Sequence, residues 1–145
     1  MTNQNTAPYA ALILRASLGV LFLAHGALKL FVFTPAGTVG FFDSIGLPAI
    51  FAYLTILAEV GGGAALIAGF ATRLVSIATL PILLGAVFMV HGANGWLYTN
   101  PNGGWELPAC WAATLVVQAL LGDGAYAVRT PKILTLTPDS FARQS

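Results

Sequence analysis

An all-α, antiparallel four-helix transmembrane bundle is the fold this sequence predicts, and its composition and its apolar segmentation predict it. Only 8% of the residues are charged and 57% are hydrophobic, against about 25% charged in an ordinary soluble domain, and mean hydropathy is +0.82. Apolar runs cover 9–33, 49–70, 74–90 and 107–128. Each is near the ~20 residues that a helix rising about 1.5 Å per residue needs to cross a ~30 Å hydrocarbon core. The reading is one membrane domain over 1–145, with a short tail at 131–145.

The first run follows "MTNQNTAP", which has no basic region, and it is too long for a signal-peptide core, so it is expected to stay as helix one. It carries Arg15, His25 and Lys29. At about 100° per residue, Lys29 lies roughly 40° and His25 roughly 80° from Arg15, so the three share one side of the helix. Gly19 and Gly26 lie there too, which marks that side as facing protein. Arg15 and Lys29 can each snorkel to a headgroup layer, whereas His25 sits deeper.

The second run is crowded with Gly61, Gly62, Gly63 and Gly69 and holds Glu59 near its middle. A carboxylate there costs about 2.5 to 3.5 kcal/mol on insertion scales unless it is paired or protonated. Counted from the cytoplasmic ends of the runs, Glu59 falls at ~16 Å, between Arg15 at ~9 Å and His25 at ~24 Å. Two readings follow: a structural ion pair of Arg15 with Glu59, or a proton-handling carboxylate facing a quinone or substrate cavity. The third run holds Pro81 and Gly85, predicts a kink, and extends toward His91. The fourth contains the single cysteine, Cys110, which excludes an internal disulfide or a CxxC relay.

Arg15, Arg73, Arg129, Lys132 and Arg143 fall on one side of such a bundle and Lys29 alone on the other, so both termini are expected in the cytoplasm. The loops "FTPAGTVGFFDSIGLP" and "HGANGWLYTNPNGGWE" then face outward, rich in Gly, Pro and Asn and in interfacial aromatics. His25, Lys29, Asp43, His91, Asn94, Trp96 and Glu106 gather at that outer end as a candidate site. In it His25, Glu59 and His91 are the expected proton-handling residues, and Lys29, Asn94, Trp96 and Glu106 the expected ligand contacts. No metal or haem is expected, since no HxxxH, HExxH or cysteine ligand set occurs. Nor is there a Walker loop, a Rossmann fingerprint or a Ser-His-Asp pattern. A net charge of +1 excludes a nucleic-acid surface.

"RASLGVLFLAHGALKL" (15–30), "GLP" (46–48), "AEVGGGAALIAGFATRL" (58–74), "HGANGW" (91–96), "GGWELP" (103–108) and "LGDGAYAV" (121–128) together resemble the DoxX family of small four-helix membrane proteins, in matching order over about residues 9 to 130. The resemblance implies a multi-pass bacterial inner-membrane protein of redox association. Relatives include the membrane subunit of thiosulfate:quinone oxidoreductase and proteins linked to oxidative-stress and thiol-handling complexes. The positions matched by motif are Arg15, His25, Lys29, Glu59, Arg73, His91 and Glu106. Two functions are then open. The chain passes electrons from a small reductant such as thiosulfate to a quinone at the outer polar site, or it is a non-catalytic membrane anchor or assembly subunit. Its expected partners are lipid, a quinone or small anion, and other subunits or further copies of itself. Four helices without an internal repeat are few for an alternating-access transporter.

Overall fold

The computed structural model describes residues 6–134, and every regular element among them is helical. Helix α1 (Ala7–Ala27) runs on as a π-helical turn, Leu28–Val32. Helix α2 spans Thr34–Ser44 and α3 spans Ala49–Ala68. Helix α4 (Thr72–Gly85) continues as a π-helical segment, Ala86–His91, and a 3-10 turn, Gly92–Asn94. Helix α5 is Glu106–Leu121. The expected tail beyond residue 134, Arg143 included, lies outside the described residues.

Three continuous helical stretches, of 26, 20 and 23 residues, are long and apolar enough to cross a membrane; α5, with 16, is shorter. Helix α1 packs on α3, α3 on α4, α4 on α5 and α5 back on α1, while α2 lies against α3. Leu18, Phe22, Leu66, Leu83, Ala112 and Leu115 meet in the centre as the buried core.

Small residues set the register of α1 against α3. A Cβ at Gly19 would stand 2.7 Å from the Gly63 carbonyl oxygen, and one at Gly63 would stand 2.9 Å from that of Gly19. Gly26 is held against Val60 and Glu59 in the same way. The two backbones therefore touch where neither carries a side chain. Gly61 and Gly85 would meet nothing within 4 Å, so they are not part of any seam.

Two elements differ from the sequence expectation. The outer segment after α1 is not a loop throughout but contains α2, whose first turn accepts Pro35 because a proline there forfeits no helical hydrogen bond. Thr34, at φ 63°, turns the chain into it, and Thr38 Oγ1 donates to the Thr34 carbonyl at 2.9 Å. At the other end α5 stops at Leu121 instead of running to Val128. Gly122, at φ 81°, breaks the helix, and Gln118 Nε2 donates to its carbonyl at 2.8 Å. The segment after it folds back across the bundle end, with Ala125 N donating to Pro8 O at 2.9 Å and Val128 N to Ala68 O at 3.1 Å. Asp123 Oδ1 accepts from Thr72 N at 3.1 Å and so satisfies one of the free amides at the start of α4.

Arg15 belongs to this end of the molecule. It is 1% exposed, and its guanidinium donates through Nη1 to the carbonyls of Leu66, at 2.9 Å, and Ile67, and through Nη2 to that of Ala125, at 2.9 Å. A planar fork of five donors suits that task, because it reaches several carbonyls at the end of α3 and beyond α5 at once. The expected Arg15 to Glu59 ion pair is not formed. Counting from the ends of the apolar runs put Glu59 opposite residue ~20, whereas the glycine contacts put it opposite Gly26, three residues from Lys29 and eleven from Arg15. At about 1.5 Å per residue, that is roughly 16 Å from Arg15 along the helix.

Candidate functional site

Glu59 is brought into the protein by the close approach of α3 to α1 at Gly26, and it is 4% exposed. Lys29 Nζ donates to its Oε1 at 2.8 Å. Lys29 stands on the π-helical turn after α1, and its side chain is 19% exposed. The second carboxylate oxygen, Glu59 Oε2, is buried with no hydrogen-bond partner among the described residues. His25 lies within electrostatic reach of the same carboxylate.

These groups open onto a cavity of about 1090 Å³ between the α1, α3, α4 and α5 helices, with α2 contributing Phe41 and Phe42 to its wall. His25, Lys29, Glu59 and His91 all line it; of the outer cluster read from the sequence, His25, Lys29 and His91 are among its residues, and Glu59 joins them from α3. His91 arrives on the π-helical segment that follows Pro81 in α4. Proline lacks the N–H of the regular ladder, and the widened segment begins five residues beyond it.

The two histidines are held alike. His25 Nδ1 lies 2.9 Å from the Leu21 carbonyl oxygen, and His91 Nδ1 lies 3.0 Å from that of Gly103. A carbonyl only accepts, so in each ring Nδ1–H is the donor and Nε2 is the nitrogen left free to meet a ligand. The His25 ring also meets Trp111 edge to face, with centroids 4.9 Å apart.

Asn94, Trp96 and Glu106 do not line the cavity; they build the loop above it. Asn94 Nδ2 donates to Gly103 O at 2.9 Å, Glu106 Oε1 accepts from Tyr98 N at 2.8 Å, and Trp96 packs edge-on against Trp105 at 4.5 Å. Asp43 sits at the end of α2, its carbonyl accepting from Gly46 N at 3.0 Å. Trp111 and Cys110 are cavity residues that the sequence reading passed over. Trp111 did carry a signal: an indole inside an apolar run, away from the interfacial belt, needs a partner for its N–H. Its Nε1 is buried without one among the described residues. No group of three His, Cys, Asp or Glu residues suited to a metal ion occurs among the described residues.

The DoxX family profile matches residues 10–92, more than half of the chain and the part that supplies His25, Lys29, Glu59 and His91. The chain belongs to the DoxX family. This DoxX protein is 30% identical over 125 residues to "Inner membrane protein YqjF" of Escherichia coli (strain K12), covering 81% of this chain and 87% of that protein. It is 39% identical over 79 residues to "Putative oxidoreductase CatD" of Bacillus subtilis (strain 168), covering 54% of this chain and 58% of that one. The match with the Bacillus protein thus spans little more than half of either length. No solved structure matches this DoxX chain. As a DoxX membrane protein it has lipid as its surroundings, in keeping with exposed Phe31, Leu57, Phe88 and Leu120 on its outer faces.

Proposed function

We propose that this DoxX protein is the quinone-binding membrane subunit of a redox system, set in the bacterial inner membrane with four spans and both termini in the cytoplasm. One observation carries the reading: a buried carboxylate, paired through one oxygen and free at the other, stands in the wall of a large and mostly apolar cavity. A cavity of that size and lining suits a planar ring with an apolar tail, and its few polar groups are placed to orient the ring oxygens. A bound quinone supplies two-electron, two-proton chemistry. Glu59 Oε2 is the group that gives or takes a proton, Lys29 holds the carboxylate in position through Oε1, and the Nε2 atoms of His25 and His91 complete the polar wall. The electrons come from a small reductant or a redox partner at the outer face. The relative named as an oxidoreductase supports the redox association.

The proposed orientation draws on Arg15 and Arg73, which both bond to backbone at the α5 exit, far from the Lys29 end. Lys29 is already neutralised by Glu59, so the cavity offers little to a small anion such as thiosulfate. Arg15 favours the other reading, an assembly subunit, since it shows that a buried charge here can serve packing alone.

Thermal unfolding with added quinone decides between them. A short-chain quinone should raise the melting temperature of the purified protein by mass action, and His25→Ala and His91→Ala should remove the rise while leaving the unliganded protein folded. If no quinone shifts the unaltered protein, the assembly reading replaces this one.

A further inference from the structure

We infer that the cavity is matched to a ligand that donates hydrogen bonds, a hydroxyl-bearing ring such as a hydroquinone, in preference to the acceptor-only quinone or an anion. The inference rests on the quinone-site reading above and deepens it. One side-chain atom on the cavity residues is buried and waits for a donor: Glu59 Oε2. Glu59, bonded to Lys29 at 2.8 Å, is the carboxylate form and accepts only.

Donor-bearing residues line the same cavity, among them Lys29, Trp111 and the hydroxyl residues Thr55, Tyr98 and Thr114. A hydroxyl group serves both kinds of partner, since it donates one hydrogen bond and accepts others. A quinone carbonyl set against Glu59 Oε2 brings two acceptors together. It leaves the buried oxygen unpaired, and an unmade buried bond is costlier than a made one is favourable. An anion meets the same wall, with the one cation beside it already paired.

The consequence is thermodynamic. A site that holds the reduced ring about tenfold more tightly than the oxidised ring raises the midpoint potential of the bound couple by about 30 mV, because tenfold in a two-electron equilibrium corresponds to that interval. Glu59 thereby makes the bound ring a better electron acceptor than the same ring free in the bilayer.

Calorimetric titration of the purified full chain in detergent, under anaerobic conditions, tests this with three probes of one shape: duroquinol, duroquinone and the dimethyl ether of duroquinol. Duroquinol should bind at least about tenfold more tightly than duroquinone, and the ether, which cannot donate, should bind no better than duroquinone. In Glu59→Gln the difference should shrink, because the amide N–H gives the quinone carbonyl a partner. Equal or tighter binding of duroquinone overturns the inference while the cavity reading stands. Displacement of duroquinol by thiosulfate, or a preference undiminished in Glu59→Gln, overturns it as well. Failure of all three probes to bind overturns the quinone-site reading and this inference together.

Discussion

Lys29 Nζ stands 2.8 Å from Glu59 Oε1, and this pair joins the π-helical turn after α1 to the middle of α3. The lysine side chain is 19% exposed and the carboxylate side chain 5%, so the two halves of the pair differ in what their loss leaves buried. Removing Lys29 leaves a buried carboxylate with nothing to balance it; removing the Glu59 charge leaves a cation that can extend toward the headgroups.

Lys29→Met should therefore destabilise the protein by about 1 to 3 kcal/mol, more than Glu59→Gln, and the double variant Lys29→Met/Glu59→Gln should recover most of the loss. Denaturant unfolding in a fixed detergent measures all three. Additive losses in the double variant would show that the two side chains do not interact.

Arg15 gives the second prediction. Arg15→Leu removes the side-chain donors from the carbonyls of Leu66, Ile67 and Ala125 and should cost about 2 to 5 kcal/mol, the largest effect of any single polar substitution tested on this protein. Arg15→Lys should recover only part of it, since one ammonium cannot reach three carbonyls in the geometry of a planar fork. Full recovery by lysine, read as an unchanged melting temperature, would mean that charge and not geometry is what α1 contributes there.

The glycine seam gives the third. Gly63→Ala drives a methyl group into the Gly19 carbonyl and should cost about 1 to 3 kcal/mol, whereas Gly61→Ala, with open space around it, should be neutral or stabilise by up to about 1 kcal/mol. Equal melting temperatures for the two variants would place the α1 to α3 contact elsewhere.

Much of this architecture was legible in the sequence because lipid leaves few options. Apolar length gave the long helices, and the small residues Gly19, Gly26 and Gly63 marked the seam, as expected where packing rather than hydrophobicity drives association. The placing of His25 and Lys29 on one side of α1 followed from helical period alone, and both reach the cavity. The partner of Glu59 did not follow, because register between helices is fixed by which glycines touch, and run ends are a poor ruler for that. Asn94, Trp96 and Glu106 were drawn into the site because loop polarity resembles ligand-binding polarity, yet their hydrogen bonds close the loop upon itself. The end of α5 was hidden by "AYAV", whose apolar character continues the run after Gly122 has already turned the chain. The Gly-Asp-Gly at 122–124 was the available stop signal.

Topology supplies a fourth prediction. With the Arg15 and Arg73 end in the cytoplasm, a phosphatase fused after Ser145 should be inactive and a fluorescent protein fused there should fold and emit. Phosphatase activity from that fusion would invert the protein and turn the cavity toward the cytoplasm.

The most direct measurement of the central claim is what the protein carries out of the membrane. Gentle extraction from bacterial membranes, followed by solvent extraction and mass spectrometry, should yield a prenylated quinone or quinol in near-equimolar ratio to the unaltered chain, and far less from a folded His91→Trp variant whose larger side chain narrows the cavity. Quinone no more abundant in the purified protein than in the accompanying lipid, and equal in the two proteins, would contradict the claim that this cavity is a quinone site.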